Sequence, residues 1–120
     1  MIIVRLVVFT SLLISWSISS ALTGNELLSY CESEDVSNEA ACLSYIEGVI
    51  DTEATLSQIH SRLSHMCIPA RGVTKGQVMR IVAKFLKDNP EGLHHAVSTD
   101  VLLSLSIVFP CEVTRDESNN

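Results

Sequence analysis

From residue 22 onward the apolar positions of the chain recur at steps of three and four, the spacing that lines one face of an α-helix. Thr23-Gly24-Asn25-Glu26 opens the series as a capping box: the Thr23 hydroxyl can accept from the Glu26 amide while the Glu26 carboxylate returns to the Thr23 amide. Leu22 and Leu27 flank it as a hydrophobic staple. A first helix is predicted from there to about Cys31 or Glu32, and the acidic stretch 32–38 is predicted to turn. A second helix starts near Ser37, with Glu39 in its first turn, where the helix dipole favours an anion. Its apolar stripe is Cys42, Ile46, Val49, Leu56, Ile59 and Leu63. Glu53 interrupts that stripe and Gly48 weakens the helix, which suits a bend between them or a close approach of a neighbouring helix at Gly48.

Thr74-x-x-Gln77 is a second capping box, with Val73 and Val78 as its staple. Val78, Ile81, Val82, Phe85 and Leu86 then mark one apolar face, while Arg80, Lys84 and Lys87 line another. Asn89-Pro90 is expected to stop this helix and start the next, with Asn89 as cap and Pro90 at the first helical position. That fourth helix is predicted over 90–108. Between 101 and 109 only Ser104 and Ser106 are polar, the composition of a central helix enclosed by the others. Pro110 ends it, and the polar tail 112–120 is expected to be loose. Strand-period alternation of useful length and internal repeats are absent. The pattern predicts an all-α fold: a small antiparallel bundle of about four main helices, with room for short extra helices between His60 and Val73.

The first twenty-one residues follow a different rhythm. Arg5 supplies a positive charge, residues 6–18 form an apolar run broken only by Thr10, Ser11, Ser15 and Ser17, and Ser19-Ser20-Ala21 supplies small residues. This is the order of a secretory signal, with cleavage expected after Ala21. The run is shorter than the ~20 apolar residues that span a bilayer. Residues 1–21 are therefore expected to be removed, leaving 22–120 as one domain without a membrane anchor. Their loss takes Arg5 and no acid, so the formal charge moves from −6 to −7. Such a domain is a poor match for nucleic acid or an anionic membrane and a better one for a basic protein.

All four cysteines fall in the mature part, and an even number in an exported chain reads as disulfides. No C-x-x-C pair supports a metal site. Helices joined by short loops pack as antiparallel neighbours. Cys31 and Cys42 then share one end of the first hairpin, and Cys67 and Cys111 share the open end of the second. The expected pairs are Cys31–Cys42 and Cys67–Cys111, which leave no thiol for nucleophilic catalysis.

His60, His65, His94 and His95 lack metal-ligand spacing: the first two are five apart, and the adjacent pair is expected to point to different helix faces. No serine lies in a nucleophile elbow. Glu47 and Asp51 form an i, i+4 acidic pair on the expected outer face of the second helix, either a solvated face or a contact for a basic partner. The line Arg80, Lys84, Lys87 is too sparse for a nucleic-acid footprint. Neither a catalytic constellation nor a cofactor or metal site can be assembled.

Taken together, Tyr45-Ile46-Glu47-Gly48-Val49-Ile50-Asp51, Cys67-Ile68-Pro69, Val73-Thr74 with Gln77, residues 82–86, Asn89-Pro90-Glu91 and Phe109-Pro110-Cys111 resemble the Rap/Tai immunity proteins of bacterial type VI secretion. The resemblance runs from about residue 27 to residue 111. It implies a small periplasmic helical protein, commonly a homodimer and not an enzyme, that binds a peptidoglycan-cleaving amidase effector and blocks its Cys-His cleft. The competing class is a periplasmic acid-stress chaperone, also small, helical and disulfide-stapled. For an inhibitor, the turn 87–95 is the first candidate contact. It lies opposite the Cys67–Cys111 staple with its tip expected to project freely, and Asn89, Glu91, His94 and His95 offer polar groups to a cleft. The rival surface carries Glu47 and Asp51.

Overall fold

The computed structural model describes residues 20–60 and 64–112. Most of the signal segment, Leu63 of the expected second-helix stripe and the tail beyond residue 112 lie outside the described residues. Four α-helices follow in order: α1 Gly24–Cys31, α2 Val36–Ile59, α3 Lys75–Asp88 and α4 Ser98–Val108, with a 3₁₀ turn at Pro90–Gly92. Among the described residues the only β pairing is a bridge between Thr23 and Ala96. The fold is a disulfide-stapled all-α bundle, as the periodicity predicts.

The capping box of α1 is complete: the Thr23 hydroxyl accepts from the Glu26 amide, and the Glu26 carboxylate accepts from the Thr23 amide at 2.8 Å. Hydrogen bonds from the Thr23 amide and then the Thr23 hydroxyl to the Glu26 carboxylate hold it below the usual glutamate range. The helix α2 starts at Val36, beside the expected Ser37, with Glu39 in its first turn. Asp35 is its cap, because that carboxylate accepts from the Ser37 and Asn38 amides and from the Ser37 hydroxyl. The α3 box forms by half. The Thr74 hydroxyl accepts from the Gln77 amide at 3.1 Å, but the Gln77 side chain does not return to the Thr74 amide.

The core joins all four helices: Leu27 from α1, Cys42 and Ile46 from α2, Val78, Met79, Val82 and Leu86 from α3, and Val101 and Leu105 from α4, closed by Met66 and Val97. Each wholly buried Leu, Ile or Val contributes roughly 1.5–3 kcal/mol by removal from water. Both disulfides are the expected pairs. Cys31–Cys42 joins the end of α1 to the second turn of α2, and Cys67–Cys111 ties the segment after α2 to the segment after α4. The Cys67 amide also donates to the Phe109 carbonyl at 2.8 Å, so this end is fixed by backbone as well as sulfur.

Three expectations about the later helices are overturned. First, the apolar stripe of α2 leaves the core after Ile50: Leu56 and Ile59 are 45% and 66% exposed, while Glu53 is buried. Glu53 turns inward because its Oε1 accepts from the His65 amide at 2.6 Å, an inward polar anchor where the stripe predicts an interruption. Second, a Cβ at Gly48 would meet nothing within 4 Å, so among the described residues no helix makes a close approach there. Third, α4 begins at Ser98 rather than Pro90 and is not enclosed: Leu103, Ile107 and Val108 are exposed. Residues 64–74 hold no short helix.

Candidate functional site

The reason for the late start of α4 lies at the other end of the chain. A helix leaves its first amide groups without intrahelical acceptors. In α1 two of these find carbonyls in the segment after the 3₁₀ turn: the Asn25 amide donates to Leu93 at 2.9 Å and the Gly24 amide to His95 at 3.2 Å. The Val97 amide donates back to the Leu22 carbonyl at 2.9 Å. Carbonyls committed to α1 are not available to an i→i+4 ladder, so residues 93–97 stay non-helical. The approach is close enough to require glycine: a Cβ on Gly24 would lie 2.9 Å from the Leu93 Cα and 3.0 Å from its Cδ2.

The turn between α3 and α4 is therefore docked on the α1 N-terminus rather than freely projecting. Asn89 closes the preceding helix instead of capping the next. Its Nδ2 donates to the Phe85 carbonyl at 2.7 Å, and no side-chain cap bond serves the 3₁₀ turn. Glu91, His94 and His95 are exposed. The two histidine rings do not diverge: their centroids lie 3.9 Å apart at a tilt of 47°. The rings meet because these residues sit in a turn, whereas a helix would separate neighbours by about 100°.

The rival pair does not form a free acidic patch. Glu47 is half-buried and ion-paired, its Oε1 lying 2.6 Å from the Lys75 Nζ at the start of α3. Asp51 is exposed, with no ion pair among the described residues. Both border a depression shared with Ile68, Pro69 and Val73. Two members of the basic line are likewise partnered, Lys84 with Asp88 at 2.6 Å and Lys87 with Glu32 across to α1, while Arg80 has no ion pair among the described residues. Partners of this kind make a solvated, internally neutralised face.

His65 has a structural role that its spacing does not disclose. Its amide holds Glu53, and its Nδ1 lies 3.8 Å from the same carboxylate. Among the described residues no three His, Cys, Asp or Glu side chains converge as metal ligands, and no helix is long and apolar enough to cross a membrane. All four cysteines are bonded.

Sequence reasoning missed a groove of about 550 Å³ between α2 and α4. Gly48, Thr52 and Leu56 line one side, Thr99 and Leu102 the other, with Glu53 and His65 at one end. The available signal is the all-round apolar character of α4, which fits an open apolar face as well as an enclosed helix.

No curated protein and no solved structure matches the chain. The family model for Rap1a immunity proteins matches residues 23–111, from the cap of α1 to the closing cysteine, and so takes in all four helices and both disulfides. The chain belongs to the Rap1a immunity protein family.

Proposed function

We infer that the mature chain is a periplasmic immunity protein that binds a type VI secretion peptidoglycan amidase effector and inhibits it by occluding its active-site cleft. The observation that carries this reading is family membership across the whole folded unit. Export by a signal peptide cleaved after Ala21 leaves the bonded residues in the mature chain: among the described residues Leu22 is the first bonded into the bundle, through Val97, and Thr23 caps α1. The two disulfides suit an oxidising compartment.

The inhibitor acts by shape and performs no catalysis. The docked turn is the proposed contact. Its backbone is held by α1 on one side and by the Asn89 bond to Phe85 on the other. Little conformational freedom then remains to be lost on binding, which favours affinity without large area. Exposed Glu91, His94 and His95 present one carboxylate and two imidazoles to the partner. The acidic charge of the mature domain speeds encounter with a basic surface. Asp51 with Glu47 is the second candidate contact. The working unit is proposed to be a homodimer.

The test is inhibition of the amidase by single variants. Glu91→Ala, His94→Ala and His95→Ala should each weaken inhibition while thermal unfolding stays close to the parent. Asn89→Ala is unsuitable as a contact probe because it also removes an α3 hydrogen bond. Inhibition that survives all three but is lost in Asp51→Lys would move the contact to α2. Capture of many unfolded proteins at acid pH, without inhibition of a folded amidase at neutral pH, would replace the reading with a chaperone.

A further inference from the structure

We propose that the Cys67–Cys111 disulfide is a thiol-exchange site, opened by a dithiol reductant that attacks the Cys67 sulfur, while Cys31–Cys42 is inert to the same reagent. The proposal goes beyond the immunity reading and is independent of it. The two bridges sit in opposite surroundings. Cys42 is wholly buried in the core and Cys31 is half-buried. A thiolate cannot reach the Cys42 sulfur, and attack on Cys31 would expel a charged sulfur among apolar side chains, where no water stabilises it. At the other bridge Cys67 is exposed and Cys111 half-buried. The Ser64 hydroxyl donates to the Cys111 Sγ at 3.3 Å and stands 4.0 Å from the Cys67 Sγ. One sulfur is therefore open to attack, and the other, which must leave, already holds a proton donor. A donor on the departing sulfur stabilises the thiolate that forms there.

The backbone decides which reductants succeed. Cys67 lies between Met66, buried in the core, and Ile68, packed against it, and its amide donates to the Phe109 carbonyl at 2.8 Å. None of these contacts uses sulfur, so the two thiols stay neighbours after the bridge opens. Exchange begins as a reductant thiolate bonds to the Cys67 Sγ. The Cys67–Cys111 bond breaks, and its electron pair leaves on the Cys111 Sγ, which takes a proton from water. With a monothiol, the neighbouring Cys111 thiolate returns to Cys67 and expels the reagent. With a dithiol, the second thiolate attacks the reductant's own sulfur in the mixed disulfide and expels the Cys67 thiolate, which is protonated in turn. The reductant ends as a disulfide and the protein as two thiols. Opening this bridge unties a loop with a sequence separation of 44 and leaves the shorter one closed. The thiol state of this one site then sets how readily the domain unfolds.

Dithiothreitol and glutathione, applied separately to the oxidised mature chain at neutral pH without denaturant, test this. Free thiols are trapped with iodoacetamide and located by peptide mapping. Dithiothreitol should expose Cys67 and Cys111 about 10-fold or more faster than Cys31 and Cys42, at a rate proportional to its concentration. Glutathione at the same thiol concentration should leave both bridges closed, with any trapped adduct on Cys67. Ser64→Ala should slow the opening by about 3- to 10-fold while urea unfolding is unchanged, and Ser64→Thr, which keeps a hydroxyl, should restore the parent rate. Equal rates at the two bridges, or a rate independent of dithiothreitol concentration, would overturn the proposal. So would an adduct on Cys111, or a Ser64→Ala variant that opens as fast as the parent.

Discussion

Replacing Gly24 by alanine isolates the contact that holds the candidate turn in place. Both Gly24 and Gly76 lie in the first turn of a helix, α1 and α3 respectively. On intrinsic propensity, alanine would favour either helix by up to about 1 kcal/mol. At Gly76 the new methyl would stand 3.5 Å from an Arg80 guanidinium nitrogen, an ordinary contact, so the propensity gain should survive. At Gly24 the methyl would stand 2.9 Å from the Leu93 Cα and 3.1 Å from its carbonyl oxygen, both backbone atoms. Backbone cannot rotate aside as a side-chain tip can. Relief requires residues 93–95 to move away from α1, which stretches the Asn25-to-Leu93 and Gly24-to-His95 hydrogen bonds. Overpacking of this kind costs about 1–3 kcal/mol. Gly24→Ala should therefore destabilise by about that amount, while Gly76→Ala is neutral or stabilising by up to about 1 kcal/mol. Urea unfolding followed by circular dichroism measures both. The turn reading adds a second expectation: Gly24→Ala should weaken amidase inhibition under conditions where the variant is fully folded, and Gly76→Ala should not. If Gly24→Ala is as stable as the parent, the close approach of Leu93 is not a constraint and the docked-turn argument fails.

Other perturbations probe independent parts of the structure. Replacing Cys67 and Cys111 together by alanine opens a loop with a sequence separation of 44 and should cost about 4 kcal/mol in urea unfolding under oxidising conditions; a loss below about 1 kcal/mol would mean that the unfolded chain is not constrained by this bridge. Glu53→Ala strips the His65 amide of its acceptor and should cost about 1–3 kcal/mol, with Glu53→Gln costing less because an amide oxygen can still accept; equal losses would show that packing, not the hydrogen bond, is what Glu53 supplies. The Asp35 carboxyl is held below the usual aspartate range by the Ser37 hydroxyl and by the Ser37 and Asn38 amides. Its contribution is full above that usual range and is lost as pH falls through the lowered value, so the parent should lose more stability than Asp35→Asn between about pH 5 and about pH 2. Parallel decline of the two proteins would exclude an ionised cap.

What the sequence discloses here follows the range of the interaction. The Thr23 and Thr74 caps and the apolar face of α3 arise from residues within one or two turns of each other, and all three were legible. The disulfide map was legible for a related reason: short loops force antiparallel hairpins, and these bring the cysteines to shared ends. The errors lie where a distant group decides. Nothing near Leu93 or His95 indicates that their carbonyls will serve the amides of Asn25 and Gly24, about seventy positions away, so the sequence pattern extends α4 back to Pro90. A glycine inside the α1 capping sequence was the single local hint. Glu53 was legible as an interruption but not as a buried anchor, because its partner is a backbone amide that carries no side-chain signature. For α4, a uniformly apolar sequence cannot distinguish burial within one chain from burial against another molecule. The exposure of Leu103 and Ile107 shows only that this chain does not enclose the helix.

The central claim is that this domain inhibits an amidase by direct binding. The measurement that meets it most directly is hydrolysis of purified peptidoglycan by a type VI cysteine amidase from the same genome, titrated with the oxidised mature chain. The account predicts complete loss of hydrolysis at one inhibitor chain per enzyme, with the two proteins co-eluting in size exclusion. Undiminished hydrolysis in the presence of excess mature chain, with the two proteins eluting separately, would contradict it.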